Sequence, residues 1–301
     1  MYDRIVLAVD GSEEATHAAR RGLELAREFD AAVDALYVVE RGWLGFASSD
    51  RQERRLRERG EAALAAVEEV AAEVGHAVAT ELAEGDPATR VDEYATRQGA
   101  DLVVVGRQGK TGLGRRLLGG VTERLLRRSD VPVFVVPGEA RGSGEDEEEA
   151  GWTRVLVTTD GSENAAAATP HGVALARTSG AELHVLNVVD PQTAGGPFDA
   201  GGLDREFLDR LEARGQEAVD GVAETAGDLA PELPVHSTVE RAPARGGAAA
   251  GVREYVATNG IDVVVMASRG RSALGRGLLG SVASSVLRTV DVPVLVVAPS
   301  A

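Results

Sequence analysis

The sequence predicts an α/β fold built twice, as two open parallel sheets of five strands each with helices on both faces. The first observation behind this prediction is an internal repeat, since residues 4–13 (RIVLAVDGSE) recur as residues 154–163 (RVLVTTDGSE). The second is that short, continuous β-branched runs alternate with longer helical patterns, as is typical of strands buried on both faces. The order β-α-β-α-β-α-β-α-β is therefore expected in each copy.

The elements of the first copy follow from these patterns in chain order. Residues 5–9 predict a strand, and Ser12 stands where the N-cap of the next, Ala- and Leu-rich helix belongs, as Ser162 does in the second copy. Residues 51–73 predict a long charged helix with an apolar stripe, and Pro87 suits the first turn of the helix after it. A fourth apolar strand then leads into a glycine-rich segment and a short helix, and a fifth strand closes the copy.

The two copies are joined by a segment that cannot pack. A Gly-Ser-Gly run is followed by EDEEE at residues 145–149, without one apolar side chain. This composition is typical of a solvated linker. We therefore place the first domain at residues 1–138, the linker at 139–151 and the second domain at 152–301.

Composition excludes several classes of protein. The 301 residues carry a formal net charge of −16, so the chain is a poor generic partner for nucleic acid or anionic membranes. No apolar run approaches the roughly 20 residues of a membrane helix, and no export signal is apparent, so a cytoplasmic location is expected. Lys110 is the single lysine in this acidic chain. That bias suggests a halophilic protein from a high-salt cytoplasm. A GC-rich genome, in which arginine codons are favoured over lysine codons, explains it as well.

Glycine-rich segments follow the fourth strand of both copies. Ligands of such sheets bind beyond the carboxyl ends of the strands. Residues 106–120 and 267–281 each run into a helix start, whose free N–H groups and positive dipole end favour phosphate. Residues 104–128 hold seven cations and one acid, although the arginines that end the short helices need only complement the helix dipole. The candidates for phosphate contacts are Arg107, Lys110, Arg115, Arg269, Arg271 and Arg276.

Two common nucleotide motifs fit these segments poorly. Gly109, Lys110 and Thr111 match the end of a P-loop, but the first glycine of that motif would fall on Val104, inside the strand. The G-x-G-x-x-G pattern at residues 275–280 lies well past its strand and lacks the acidic residue expected downstream. Neither motif therefore defines the site.

A third pattern fits both copies. The spacing G-x2-G-x9-G-[ST] after the fourth strand, Asp-Gly-Ser after the first and Val-Pro-Val in the last together resemble the universal stress protein family. The resemblance covers nearly the whole chain apart from the linker, and it implies a tandem member with two Rossmann-like, adenine-nucleotide-binding domains. In ATP-binding members, the acidic residue after strand one and a backbone position after strand two hold adenine and ribose.

The resemblance places a nucleotide on matching residues of the two copies. In the first copy the implied nucleotide-binding residues are Ala8, Val9, Asp10, Val38, Gly106, Gly109, Gly119, Gly120, Val121 and Thr122. In the second copy they are Thr158, Thr159, Asp160, Val188, Ala267, Gly270, Gly280, Ser281 and Val282. From the residues alone, Asp10 and Asp160 are better interpreted as turn or capping residues, because Asp-Gly-Ser is turn chemistry. The resemblance favours the ligand role.

Each copy departs from the family pattern at one glycine-loop position. Gly120 stands where Ser or Thr is usual, so a hydroxyl hydrogen bond is lost, with Thr122 as a partial substitute. Ala267 replaces the first glycine of the second copy, which costs about 1–2 kcal/mol if that position needs a positive φ, and crowds the ligand if it needs close approach. The second copy also reads Arg-Ala-Pro at 241–243, where the first reads Gly-Asp-Pro. We therefore expect the first copy to bind the nucleotide better.

No catalytic apparatus is apparent, so we expect a stress-response binding module and not an enzyme. The histidines are scattered, without metal-ligand spacing, and no metal-ligating residue is assigned: His17, His76, His171, His184 and His236. ATP or a related adenine nucleotide, accompanied by Mg²⁺, is the expected ligand. Two alternatives stay open, namely a nucleotide-free interaction module with degenerate loops and a slow ATPase or ATP-dependent ligase.

Assembly is expected to follow from the same resemblance. Family members dimerise through their last strands, so the two domains are expected to pair in that way within one chain. A homodimer of the whole chain is a further expectation. Neither nucleic acid binding nor membrane insertion is expected.

Overall fold

The computed structural model describes residues 1–40, 50–109, 117–138, 151–191, 205–270 and 278–298. The chain divides into two compact units, residues 1–145 and 146–301, and each contains five strands that pair in parallel. The predicted linker falls on residues 139–151, of which only Gly151 is among the described residues. Its boundaries therefore stay a prediction.

The first domain has the predicted order of strands and helices. Its elements are β1 (Arg4–Val9), α1 (Glu13–Phe29), β2 (Ala32–Val39), α2 (Asp50–Val74), β3 (Ala79–Glu84), α3 (Pro87–Gln98), β4 (Leu102–Gly106), α4 (Gly120–Arg128) and β5 (Val133–Val136). The strands lie in the order β3-β2-β1-β4-β5, and all neighbours pair in parallel.

Within its described residues, the second domain repeats this arrangement with one additional helix. Its elements are β6 (Arg154–Thr158), α5 (Glu163–Ala166), α6 (Thr169–Ser179), β7 (Glu182–Val189), α7 (Arg205–Leu229), β8 (Val235–Arg241), α8 (Gly247–Asn259), β9 (Val263–Ala267), α9 (Ser281–Thr289) and β10 (Val294–Val297). The strands lie in the order β10-β9-β6-β7-β8, again all parallel. The predicted fold class is confirmed.

The additional helix arises at Pro170. A single helix was expected after Ser162, as after Ser12, but α5 ends at Ala166 and α6 begins at Thr169. Proline has no N–H and its ring collides with the carbonyl four residues before it. The hydrogen-bond ladder is therefore interrupted between α5 and α6, whereas α1 runs unbroken for 17 residues.

Caps and burial follow the sequence expectations. The Ser12 hydroxyl accepts a hydrogen bond from the Ala15 amide at 3.1 Å, and the Ser162 hydroxyl accepts one from the Ala165 amide at 3.2 Å. Every residue of β4 and β9 is buried, as their continuous apolar runs predict. Within the described ranges, no helix combines the length and the apolarity that crossing a bilayer requires.

Candidate functional site

A cavity opens in the first domain where the strand order reverses. The chain moves from β1 outward to β2 and β3, then returns to β4 on the other side of β1. Ligands of doubly wound sheets bind at this point, beyond the carboxyl ends of the strands. The cavity measures about 750 Å³, within the roughly 300–1,000 Å³ of ordinary ligand pockets. Its lining includes all ten residues predicted for this copy: Ala8, Val9, Asp10, Val38, Gly106, Gly109, Gly119, Gly120, Val121 and Thr122.

Asp10 lies at the centre of this arrangement. One carboxylate oxygen, Oδ1, accepts a hydrogen bond from the Ser12 amide at 2.9 Å, which is the turn role that the residues alone favour. The other, Oδ2, lies so close to Gly109 that a Cβ on Gly109 would overlap it. The strand-one carboxylate and the second loop glycine are therefore neighbours on the cavity wall. A direct contact between Asp10 and a nucleotide stays a prediction.

The glycine segment is tied to the start of α4 by two hydrogen bonds. The Gly119 amide donates to the Arg107 carbonyl at 2.9 Å, and the buried Thr122 hydroxyl donates to the Gly106 carbonyl at 2.9 Å. The single Thr122 proton is thus already used inside the protein, so this hydroxyl does not take over the donor role lost at Gly120. The amides of the first helical turn have no acceptor within the helix and remain as donors at the cavity.

Gly106 does not have the backbone conformation that would require glycine. It is absent from the positive-φ residues of the described chain, so that reason for its identity does not hold. A Cβ at Gly106 would instead lie 3.1 Å from the Gln108 carbonyl oxygen and 3.3 Å from the Glu14 carbonyl oxygen. Gly106 is therefore restricted by the close approach of neighbouring backbone. At the corresponding position of the second domain, Ala267, the structure accommodates a methyl group.

Two arginines that the sequence interpretation did not single out line the cavity. Arg59 comes from α2, and Arg124 from α4. The Arg124 guanidinium lies 2.5 Å from Asp86 Oδ2, and Asp86 caps α3 by accepting from the Thr89 amide at 3.0 Å. Burial opposes ionisation of Asp86, but the hydrogen bonds from Thr89 and Arg124 outweigh it and lower its pKa. The sequence signal for the Arg124–Asp86 contact was that the first copy has Gly-Asp-Pro where the second has Arg-Ala-Pro.

Tyr37, Glu40 and Gln108 are further polar residues in the lining of the first cavity. Burial raises the pKa of Tyr37, the Asp10 carboxylate raises it further, and Arg59 opposes them. Gln108 is buried, and its side-chain amide donates to the Leu117 carbonyl at 2.6 Å. It therefore connects the residues on either side of 110–116, which lie outside the described residues.

The predicted phosphate-side cations divide into three groups. Arg269 lines the cavity of the second domain. Arg107 is buried and is not among the residues that line the first cavity. The others lie outside the described residues: Lys110, Arg115, Arg271 and Arg276.

The second domain has a smaller cavity at the corresponding place, of about 540 Å³. Its lining includes all nine residues predicted for this copy: Thr158, Thr159, Asp160, Val188, Ala267, Gly270, Gly280, Ser281 and Val282. Asp160 Oδ1 accepts from the Ser162 amide at 3.0 Å, and a Cβ on Gly270 would overlap Asp160 Oδ2. The relationship between carboxylate and glycine is therefore the same in both domains.

The two cavities differ in the side chains around this shared centre. Tyr37 lines the first cavity, whereas Asn187, at the corresponding position, is not among the lining residues of the second, and its buried side-chain amide donates to the Thr159 carbonyl at 2.8 Å. Helix α8 begins at Gly247, and its residues Ala248 and Val252 form part of the wall. Among the described lining residues, the second cavity has one arginine where the first has two.

Known proteins resemble this chain along its whole length. The model of the universal stress protein family matches residues 1–137 and again residues 151–298. A universal stress protein of Methanocaldococcus jannaschii is 41% identical over 140 residues, which cover 45% of this chain and 82% of that protein. One from Mycolicibacterium smegmatis is 29% identical over 303 residues, covering 98% and 97%. The crystal structure of a universal stress protein from Archaeoglobus fulgidus has the same fold, with a TM-score of 0.71, 21% identity and 100% coverage of both chains.

Proposed function

Because the chain belongs to the universal stress protein family, with two domains of that family in tandem, we propose that it is a cytoplasmic stress-response protein that binds ATP or a related adenine nucleotide. The observation that carries this proposal is the pairing of the strand-one carboxylate with the second loop glycine beside a cavity. Asp10 and Gly109 are paired in this way in the first domain, and Asp160 and Gly270 in the second. The pairing lies where doubly wound sheets hold nucleotides.

The wall of the first cavity has separate regions for the parts of a nucleotide. Ala8, Val38 and Val105 form an apolar surface suited to a base. Asp10 offers a carboxylate to ribose hydroxyls. The amides at the start of α4 offer donors to phosphate, and the helix dipole adds a positive potential there.

The first domain is proposed as the stronger site. Its cavity is larger, and its described lining has two arginines, Arg59 and the Asp86-paired Arg124, against one in the second cavity. Mg²⁺ would accompany a triphosphate, without an assigned protein ligand. In the second domain Ser281 supplies the hydroxyl that Gly120 lacks, but the cavity is smaller.

We propose a binding module in which the nucleotide biases a conformation or a partner surface, with at most slow hydrolysis. A nucleotide-free interaction module and a slow ATPase remain the alternatives. Fast, metal-dependent product formation in a turnover assay would replace the binding module with an enzyme. The halophilic character and the pairing of the domains through their last strands remain proposals, and light scattering in high salt tests the homodimer.

The decisive experiment begins with the whole chain purified in high salt and denatured, and the released small molecules chromatographed. We expect adenine nucleotide at about one per chain, held by the first domain. Calorimetric titration with ATP then compares wild type with Asp10→Ala and Asp160→Ala, and we expect the larger loss of affinity in Asp10→Ala. If no nucleotide is released and no ATP binds on titration, the proposal is overturned and the interaction module is favoured.

A further inference from the structure

Two histidines that are far apart in the sequence face each other on neighbouring strands of the second domain. His184 of β7 is the direct partner of His236 of β8 in the parallel register. Glu182 lies two residues before His184 on the same strand, so its side chain is on the same face of the sheet. The three residues lie at the amino ends of the strands, whereas the nucleotide cavity lies at their carboxyl ends.

The distances between the three side chains are close to those of a metal site. Glu182 Oε2 lies 3.6 Å from His236 Nε2 and 4.0 Å from His184 Nε2, and the potential ligand atoms all lie within 4.8 Å of one another. Ligand atoms of a tetrahedral zinc ion with bonds of about 2.0–2.1 Å are separated by about 3.3 Å. Side-chain rotations of Glu182 and of His236, both exposed, are enough to close this difference.

His184 is the buried member of the group and has an unused nitrogen. Its Nε2 is buried and has no hydrogen-bond partner, which is costly for a polar atom unless a ligand satisfies it. Its Nδ1 lies 2.9 Å from the Tyr255 hydroxyl, which in turn lies 3.3 Å from Thr238 Oγ1. The hydrogen bond between His184 Nδ1 and the Tyr255 hydroxyl orients the ring in the way that outer partners orient metal-binding histidines.

Burial lowers the pKa of His184, the neighbouring His236 and Arg154 lower it further, and Glu182 opposes them. The neutral imidazole is the form that binds a metal. With Nδ1–H donating to Tyr255, the lone pair of Nε2 faces the group.

The first domain shows what these positions contain when no metal site is formed. Ala32, Asp34 and Ala79 stand where Glu182, His184 and His236 stand in the second domain, as the matching strand registers show. There, Arg4 forms an ion pair with Asp34 at 2.6 Å.

In the second domain the corresponding arginine, Arg154, leaves the carboxylate available. Its guanidinium lies 4.0 Å from Glu182 Oε2, beyond hydrogen-bond distance, and it donates instead to the Asn259 carbonyl at 3.2 Å.

We propose that Glu182, His184 and His236 bind a divalent transition metal, with Zn²⁺ as the ion that best fits two imidazoles and one carboxylate. Water completes the tetrahedral coordination. The ion joins the edge strand β8 to β7, so binding stabilises the outer part of this sheet. The site belongs to the second domain alone and does not depend on nucleotide binding.

The test is calorimetric titration of ZnCl₂ into the full chain, expressed without a histidine tag and stripped of metal and nucleotide. We expect one Zn²⁺ per chain with micromolar or tighter affinity, unaffected by excess Mg²⁺. The variants His236→Gln and Glu182→Gln change exposed side chains and are expected to fold. Each should lose at least about tenfold in affinity. His17→Gln, a matched change in the first domain, should bind as wild type does.

A second measurement separates this site from adventitious binding. Hydrogen exchange at the amides of β8 should slow on addition of Zn²⁺ in wild type, and should not change in His236→Gln. Absence of saturable Zn²⁺ binding, or equal affinity in wild type and His236→Gln, would overturn the proposal.

Discussion

The Asp10 carboxylate and Gly109 occupy adjoining space, so that a Cβ on Gly109 would overlap Asp10 Oδ2. Asp160 and Gly270 repeat this relationship in the second domain. The glycine is thus required by a side chain that follows a different strand. Neither Gly109 nor Gly270 has a positive φ that would require it.

Gly109→Ala should weaken ATP binding to the first domain. The added methyl displaces the Asp10 carboxylate from the cavity wall, and we expect about tenfold weaker binding, equivalent to about 1.4 kcal/mol. Calorimetric titration measures it. The matched control is Gly221→Ala in the second domain, which lines neither cavity and where no atom lies within 4 Å of the added Cβ. Unchanged affinity in Gly109→Ala would contradict a role for this contact.

Gly120 and Ser281 are the first residues of α4 and α9, and exchanging glycine for serine there should add or remove one hydrogen bond to the nucleotide phosphate. Gly120→Ser adds the hydroxyl that Ser281 has in the second domain, in open space. One added hydrogen bond is worth about 0.5–1.5 kcal/mol, so we expect ATP affinity to rise about twofold to tenfold. Ser281→Gly should have the opposite effect on the second site. If Gly120→Ser binds no more tightly, the phosphate does not reach this position.

Two glycine-to-alanine changes in the helices of the second domain should have opposite effects on stability. A Cβ on Gly172 in α6 would overlap Val157 of β6, whereas one on Gly221 in α7 has no neighbour within 4 Å. We expect Gly172→Ala to destabilise the domain by about 1–3 kcal/mol, and Gly221→Ala to stabilise it by about 0.5–1 kcal/mol. Urea unfolding measures both, and changes of the same sign would contradict the packing described for α6.

Acid should destabilise the second domain through His171. Burial lowers the pKa of this imidazole to about 4, from its ordinary value of 6.5. Above pH 6.5 both folded and unfolded chains hold it neutral, so it has no effect on stability there. Between pH 6.5 and 4 the unfolded chain binds the proton first, and we expect a loss of about 2 to 3 kcal/mol.

The corresponding measurement is urea unfolding at a series of pH values in this range. His171→Gln should remove the His171 part of the pH dependence and leave the rest. A variant with the same slope as wild type would show that His171 stays accessible to protons in the folded protein.

The lining of both cavities was predictable because it comes from short motifs at strand ends. Asp10 and the glycines after β4 lie far apart in the chain, but parallel strands bring their carboxyl ends to one edge of the sheet. Arg59 and Arg124 were not predictable in this way. They point into the cavity from helices, and the direction of an exposed helical side chain depends on how that helix packs.

The partners of individual hydroxyl and imidazole groups could not be predicted from the sequence for a similar reason. Thr122 matches a phosphate-binding position by spacing, yet its proton goes to the Gly106 carbonyl. His184 and His236 lack any metal-ligand spacing in the sequence, and only the register of β7 against β8 makes them neighbours.

The sequence by itself determined the two domains, the alternation of strands and helices along each of them, and the segments that line the cavities. Its hydrophobic periods and strand-end motifs act locally or through the general topology of parallel sheets. The tertiary structure alone decided which donor meets which acceptor, why Gly109 must be glycine, and that Glu182, His184 and His236 lie together. These features depend on distances of a few ångströms between segments far apart in the chain, and packing and register set such distances.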